Sequence, residues 1–261
     1  MKLEVPMKHS ALLLFFVASQ AFANVETLII GDSHVVGPFG ENMHKIFRET
    51  TKEDTRTIGL AGASPSNMVA TNAKGRTLNY GFADRNNENE RLIKGGNPAE
   101  FPELGPLLQK TNPNRIIIEL GDNFADYRSG SAASDASAKA QVNLILKELD
   151  KQGSKASCYW VTPTWTDKPG SKPYQKSNER LLQLIALIKK TAQPRCTVID
   201  SAEGIGIGKG DIKTGSDGLH FDGTNGKKWA EAAAKKIQEI EKSKQAKSPA
   251  QSVPNKSGAV Q

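Results

Sequence analysis

The chain has 261 residues, a formal net charge of +7 and two cysteines. That length suits one sizeable α/β domain with a real core, and beyond an N-terminal leader no stretch is long and apolar enough to span a bilayer. The basic excess lies partly near the C-terminus, where Lys242, Lys244, Lys247 and Lys256 sit among Ser, Gln and Pro. Such a solvated end argues against a nucleic-acid partner and is compatible with an anionic envelope polymer as a neighbour.

In chain order, residues 1–23 read as a secretory signal peptide. Lys2 and Lys8 make the start basic, 11–18 form a short apolar core, and Ala21-Phe22-Ala23 is a small-x-small cleavage site before Asn24. The apolar core is too short to serve as an anchor, so export to the periplasm or the medium is expected, with a domain over 24–242 and a disordered basic tail over 243–261. Thr27-Leu28-Ile29-Ile30 is a short buried strand that ends at once in Gly31-Asp32-Ser33-His34. In open α/β sheets the ligand crevice lies outside the carboxyl ends of the strands, so Ser33 is presented at the rim of a site.

A helical pattern over 40–50 leads to a short strand at 56–58 and then to Gly59-Leu60-Ala61-Gly62-Ala63-Ser64. The span 71–113 breaks the rhythm. It is rich in Asn, Gly, Glu and Pro, with Tyr80, Phe82 and Phe101 scattered through it, and reads either as a wall on one side of a substrate cleft or as a plain surface insertion. A strand at 115–120 runs into Gly121-Asp122-Asn123. A helix over 138–152, a strand over 158–162, a helix over 178–191 with a leucine-isoleucine stripe, and a strand over 196–200 follow. Asp217-Gly218-Leu219-His220 precedes a last helix over 224–242. Strands alternating with helices predict a three-layer α/β/α sandwich, flavodoxin-like, around a parallel sheet of about five strands. Cys158 and Cys196 each open a predicted strand. In an exported chain an even pair suggests a disulfide, and parallel neighbouring strands would place both at one end; two buried thiols are the alternative.

Four polar clusters thus follow strand ends or precede the last helix: Gly31-Asp32-Ser33, the glycine block 59–64, Gly121-Asp122-Asn123, and Asp217-x-x-His220. Together, in this order and across the whole domain, they resemble the SGNH hydrolase superfamily, the GDSL-type esterases. The residues support the same chemistry independently. A serine hydroxyl such as that of Ser33 needs a base. His220 can take the proton and return it to a leaving group, and Asp217, three residues earlier on one tight turn, can orient the imidazole. The resemblance further implies an oxyanion hole made by the Ser33 and Gly62 backbone N–H groups and the Asn123 amide, with Gly59 as a rival for Gly62.

Two departures from the family pattern are visible. His34 stands where many members have leucine, as in some exported glycan esterases and in domains attached to membrane acyltransferases; it could shape the acyl pocket or bond Asp32. Phe124 stands where an acid often follows the asparagine. The Gly-x-Ser-x-Gly elbow is absent, which disfavours the α/β-hydrolase fold. The glycine-rich 204–210 lacks phosphate-loop spacing and reads as a flexible lead-in to Asp217. Asp217, His220 and Asp222 lack an independent third site for a metal. Trp160, Trp165 and Pro163 could floor a sugar cleft or simply pack.

The resemblance implies an exported serine esterase that removes short acyl groups, acetyl first, from a carbohydrate or cell-envelope glycan, with no cofactor. A lysophospholipase or arylesterase, an O-acyltransferase and a non-catalytic glycan-binding protein on the same fold remain the alternatives.

Overall fold

A computed structural model describes residues 25–124, 132–169, 176–193 and 195–247. The expected leader at 1–23 and the end of the expected tail, 248–261, lie outside the described residues. Strand β1 (Thr27–Gly31) runs into one helical turn, α1 (Ser33–Val36), then α2 (Pro38–Lys45), a π-helical turn over Ile46–Thr50, and β2 (Thr55–Leu60). Helices α3 (Pro65–Val69) and α4 (Ala73–Arg76) lead to β3 (Thr77–Leu78), β4 (Phe82–Arg85), β5 (Glu90–Ile93) and β6 (Ala99–Glu100). Then come α5 (Leu104–Thr111), β7 (Arg115–Glu119), α6 (Ala132–Lys151), β8 (Ser157–Val161), α7 (Asn178–Ala192), β9 (Cys196–Ile199) and α8 (Gly223–Lys247).

The central sheet has the order β5-β4-β2-β1-β7-β8-β9. The five parallel strands β2-β1-β7-β8-β9 are those read from the apolar runs, in flavodoxin-like order. Two antiparallel strands of this sheet were not foreseen, nor was the separate antiparallel pair β3–β6. The β4–β5 hairpin, drawn from the 71–113 span, adds to the outer edge of β2. It covers an edge that would otherwise be open for pairing with another chain. Its register is reinforced by Arg56, which donates Nε and Nη2 to the two Asp84 carboxylate oxygens at 3.0 and 2.8 Å.

The apolar strands are buried on both faces because their side chains alternate. Leu28, Ile30, Ile116, Ile118 and Trp160 face a core shared with α5, α6 and α7. Ile29, Ile117, Tyr159 and Val161 face the other core, closed by Phe39 and Met43 of α2 and by Trp229, Ala230, Ala233 and Ile237 of α8. Helix α8 continues through Lys247, past the expected boundary at 242, with residues 242–246 exposed. Its Lys, Glu, Gln and Ala residues favour helix continuation without any buried face. Residues 204–210 are likewise less free than their glycines suggested, since Ile207 and, just beyond, Ile212 are buried in the second core. No helix among the described residues is long and apolar enough to cross a membrane.

Cys158 and Cys196 are register partners on β8 and β9 and form a disulfide. The bridge joins adjacent strands that are separated in sequence by 38 residues. Reducing it, or replacing both cysteines by serine, is expected to lower the unfolding free energy by about 2–4 kcal/mol, measured by denaturant titration with and without reductant.

Candidate active site

The turn after β1 is set by crowding and by one carboxylate. A Cβ at Gly31 would lie 2.4 Å from both the Glu119 carbonyl oxygen and Val35 Cγ2, so only glycine lets the chain turn here. Asp32, fully buried, then caps α1, its Oδ1 accepting from the His34 backbone N–H at 3.0 Å. That cap starts the helical turn at Ser33. At its other end, Arg85 of β4 donates to the Val35 and Val36 carbonyls at 3.0 and 2.9 Å. The added hairpin therefore satisfies carbonyls that a four-residue helix cannot satisfy itself.

The Asp217–His220 turn is built separately. Thr214 and Phe221 form an isolated bridge, Gly215 N–H donates to the His220 carbonyl at 2.7 Å, and Gly218 takes φ +70°. Asp217 Oδ1 accepts from the backbone N–H groups of Leu219 and His220 at 2.9 and 3.0 Å. Its Oδ2 lies 2.6 Å from His220 Nδ1, and His220 Nε2 lies 2.8 Å from Ser33 Oγ. A carboxylate only accepts, so Nδ1 carries the hydrogen and Nε2 is left to accept from the serine hydroxyl. Burial pushes the Asp217 carboxyl up, but the bonds from the His220 ring and the two backbone N–H groups outweigh it and hold the carboxyl down at about 2. The stability this adds is present above the ordinary carboxylate range and lost only as pH falls toward that value. The segment after β8 pins the turn: Asp167 accepts from the Thr214 N–H and hydroxyl, and Lys168 Nζ donates to the Thr214 and Gly215 carbonyls.

Ser33 and His220 open onto a cleft of about 670 Å³, which Gly62, Tyr80, Asn123 and Leu219 also line. Gly62 has φ +79° and packs against the Tyr80 ring. Gly59, its rival, lies inside β2 under α1, where a Cβ would meet Val36 N at 2.6 Å, and it does not line the cleft. Asn123 donates one amide hydrogen to Asp32 Oδ2 at 2.8 Å and also lines the cleft. Of the long span, Tyr80, which is 68% exposed, lines the cleft.

His34 points away from the cleft. Only its backbone N–H bonds Asp32; its ring Nε2 bonds Asp122 at 2.8 Å, and Lys176 Nζ reaches the same carboxylate oxygen at 2.7 Å. The acid missing at Phe124 is thus present one residue before Asn123, buried, and serves a cation and a histidine. Burial would raise the Asp122 carboxyl, but Lys176 and His34 hold it below its usual range. Trp160 and Trp165 are packing residues, donating to the Leu120 and Ala202 carbonyls. Asp222 caps α8 by accepting from Asn225 N–H at 2.8 Å rather than ligating anything with His220. Sequence reading missed Arg85, Asp167, Lys168 and Lys176, which lie far from the motifs and carry no local pattern. Asp122 was visible inside the third cluster but had no role.

No family model matches the chain. It is 29% identical over 232 residues to Protein BcsX of Komagataeibacter xylinus, covering 86% of this chain and 81% of that protein. A peptidoglycan O-acetylesterase superposes with a TM-score of 0.51 at 14% identity, over 85% of this chain and 93% of that one. A carbohydrate esterase family 3 protein from Talaromyces cellulolyticus gives 0.51 at 12%, over 84% and 99%. A catalytic mutant of an acetylxylan esterase from Geobacillus stearothermophilus gives 0.50 at 10%, over 82% and 94%. The chain has the fold of these SGNH-type esterases.

Gly62→Ala is expected to cost about 1–2 kcal/mol of stability from its backbone conformation alone. The added methyl would also meet Tyr80 Cδ2 at 2.8 Å. Adding Tyr80→Ala relieves that contact and leaves the backbone cost, so denaturation of the single and double variants separates the two; an unchanged Gly62→Ala midpoint would contradict both.

Proposed function

We propose that the protein is a serine esterase that removes short acyl groups, acetyl first, from O-acylated carbohydrate, with Ser33 as nucleophile. The observation that carries this reading is the hydrogen-bonded chain Asp217–His220–Ser33, ending on a serine that lines an open cleft. In the proposed cycle Ser33 Oγ attacks the acyl carbon as its proton passes to His220 Nε2, while His220 Nδ1–H keeps donating to the Asp217 carboxylate. The tetrahedral intermediate collapses, the acyl C–O bond breaks, and His220 returns the proton to the leaving sugar oxygen. Water then attacks the acyl-serine by the same route, releasing the carboxylic acid and free Ser33.

The oxyanion is assigned to the Ser33 and Gly62 N–H groups and the second Asn123 amide hydrogen. These donors are held before substrate arrives, which is what makes them effective as charge develops. The carbohydrate preference is supported by the cleft's openness, by the exposed Tyr80 ring beside Gly62, and by the acetylxylan and peptidoglycan acetylesterases whose fold the chain shares. Export through the expected leader over residues 1–23 would bring the enzyme to such polymers.

The test is turnover of p-nitrophenyl acetate and butyrate, then of acetylated xylan and peptidoglycan fragments. Ser33→Ala should abolish turnover, and Asn123→Ala should lower kcat by roughly 10²–10³-fold. Tyr80→Ala should raise KM for the acetylated glycan and leave p-nitrophenyl acetate unchanged. Faster hydrolysis of long acyl chains would favour a lipid esterase. Acetyl transfer to an added sugar in preference to water would favour an acyltransferase. Serine-independent turnover would sink the reading.

A further inference from the structure

Behind Ser33 lies a buried cluster that the proposed chemistry does not use: Asp32 at the end of β1, His34 on α1, Glu119 closing β7, Asp122 after it, and Lys176 just before α7. The side chains of all five are buried. Three carboxyl groups therefore share one permanent cation. Lys176 is bound to Asp122, which also accepts from His34, so Asp122 is the partnered anion. Asp32 and Glu119 are left facing each other, with ligand atoms of Asp32, His34 and Glu119 all within 4.8 Å of one another.

Two buried carboxylates at such range cannot both ionise without a cation between them, so one keeps a proton. Counting donors says which. Asp32 accepts from the His34 N–H and from Asn123 Nδ2, at 3.0 and 2.8 Å. Neither Glu119 oxygen meets a donor among the described residues, although both are fully buried. An ionised carboxylate in that position would be desolvated and unbonded, whereas a protonated one needs only an acceptor.

We propose that Glu119 is a neutral carboxylic acid whose O–H donates to the Asp32 carboxylate, making Glu119 the positioning residue that holds Asp32 against Asn123 and the Ser33 turn. Burial, followed by the charges of Asp32 and Asp122, drives the Glu119 carboxyl well above its usual range, and only Lys176 opposes this. Asp32 is also pushed up, chiefly by burial, which is the signature of a pair holding one proton between them. A divalent cation among Asp32, His34 and Glu119 is the other way to neutralise the pair. It is disfavoured because Lys176 already brings positive charge to the cluster. The kinetic part of this inference rests on the esterase reading; the proton does not.

The experiment compares the full chain with Glu119→Gln, which keeps a donor, and Glu119→Leu, which keeps volume without one. Infrared spectra at neutral pH should show a protonated carboxyl C=O band that is lost in Glu119→Gln. Glu119→Gln should keep kcat within about threefold, the scale of one exchanged hydrogen bond. Glu119→Leu should lower kcat by roughly 10–100-fold with KM little changed, as loss of an orienting partner does. Glu119→Gln as defective as Glu119→Leu, with no carboxyl band in the wild type, would overturn the proposal. So would a stoichiometric divalent metal in the purified protein that disappears in Glu119→Gln. If Ser33→Ala keeps full turnover, the esterase reading fails, and the infrared band still decides whether Glu119 holds the proton, even if Glu119→Leu does not fold.

Discussion

Everything at the candidate site hangs on one buried carboxylate. Asp32 has no exposure to solvent and two acceptor oxygens, one spent on the N-terminus of α1 and the other on the Asn123 amide. The first bond places the proposed nucleophile, and the second places a proposed oxyanion donor. Because both go to one rigid group at the end of a central strand, Ser33 and Asn123 share a common reference although they lie 90 positions apart in the chain. Burying such a charge is costly unless it is fully bonded, so Asp32 is held by what surrounds it as firmly as it holds them.

The remaining parts are assembled at the same carboxyl end of the sheet from different directions. β1 and β7 are adjacent, and the chain leaves them toward opposite edges, so the loops after them flank an open crevice. Asn123 follows β7 into that crevice from one side and Ser33 follows β1 from the other. His220 and Asp217 arrive on a turn that owes its shape to backbone bonds and to Asp167 and Lys168, not to a strand of its own. The β4–β5 hairpin serves both the scaffold and the cleft: Arg85 closes the open end of α1, and Tyr80, just before β4, stands over Gly62.

Two different electrostatic settings lie a few ångströms apart. Asp217 and His220 are about half exposed, at 46% and 47% of their side-chain surface, and their hydrogen bonds to each other and to backbone compete with water. The side chains of the Asp32–Glu119–Asp122 cluster are buried, and there the proposed shared proton rather than hydration settles the charge. The His34 ring, 5.6 Å from that of His220, marks the border between the two. His34 therefore belongs to the buried network and does not line the cleft, because Asp122 gives its ring a partner on the inner side.

The sequence by itself determined the five parallel strands, the layered fold and the family resemblance. Each depends on local signals: short apolar runs, helical stripes, and polar clusters at strand ends. The Cys158–Cys196 pairing was legible as soon as two strand starts were taken as neighbours. Tertiary structure alone placed Gly59 under α1 and Gly62 on the cleft, because that depends on how the helix packs over β2. It alone turned His34 toward Asp122, extended the sheet by two antiparallel strands whose short, glycine- and asparagine-broken pattern has no clear period, and brought Lys176, Arg85 and Glu119 to the site. Those three act through long side chains or burial across elements far apart in the chain. Nothing in the residues flanking them records the partner they will meet.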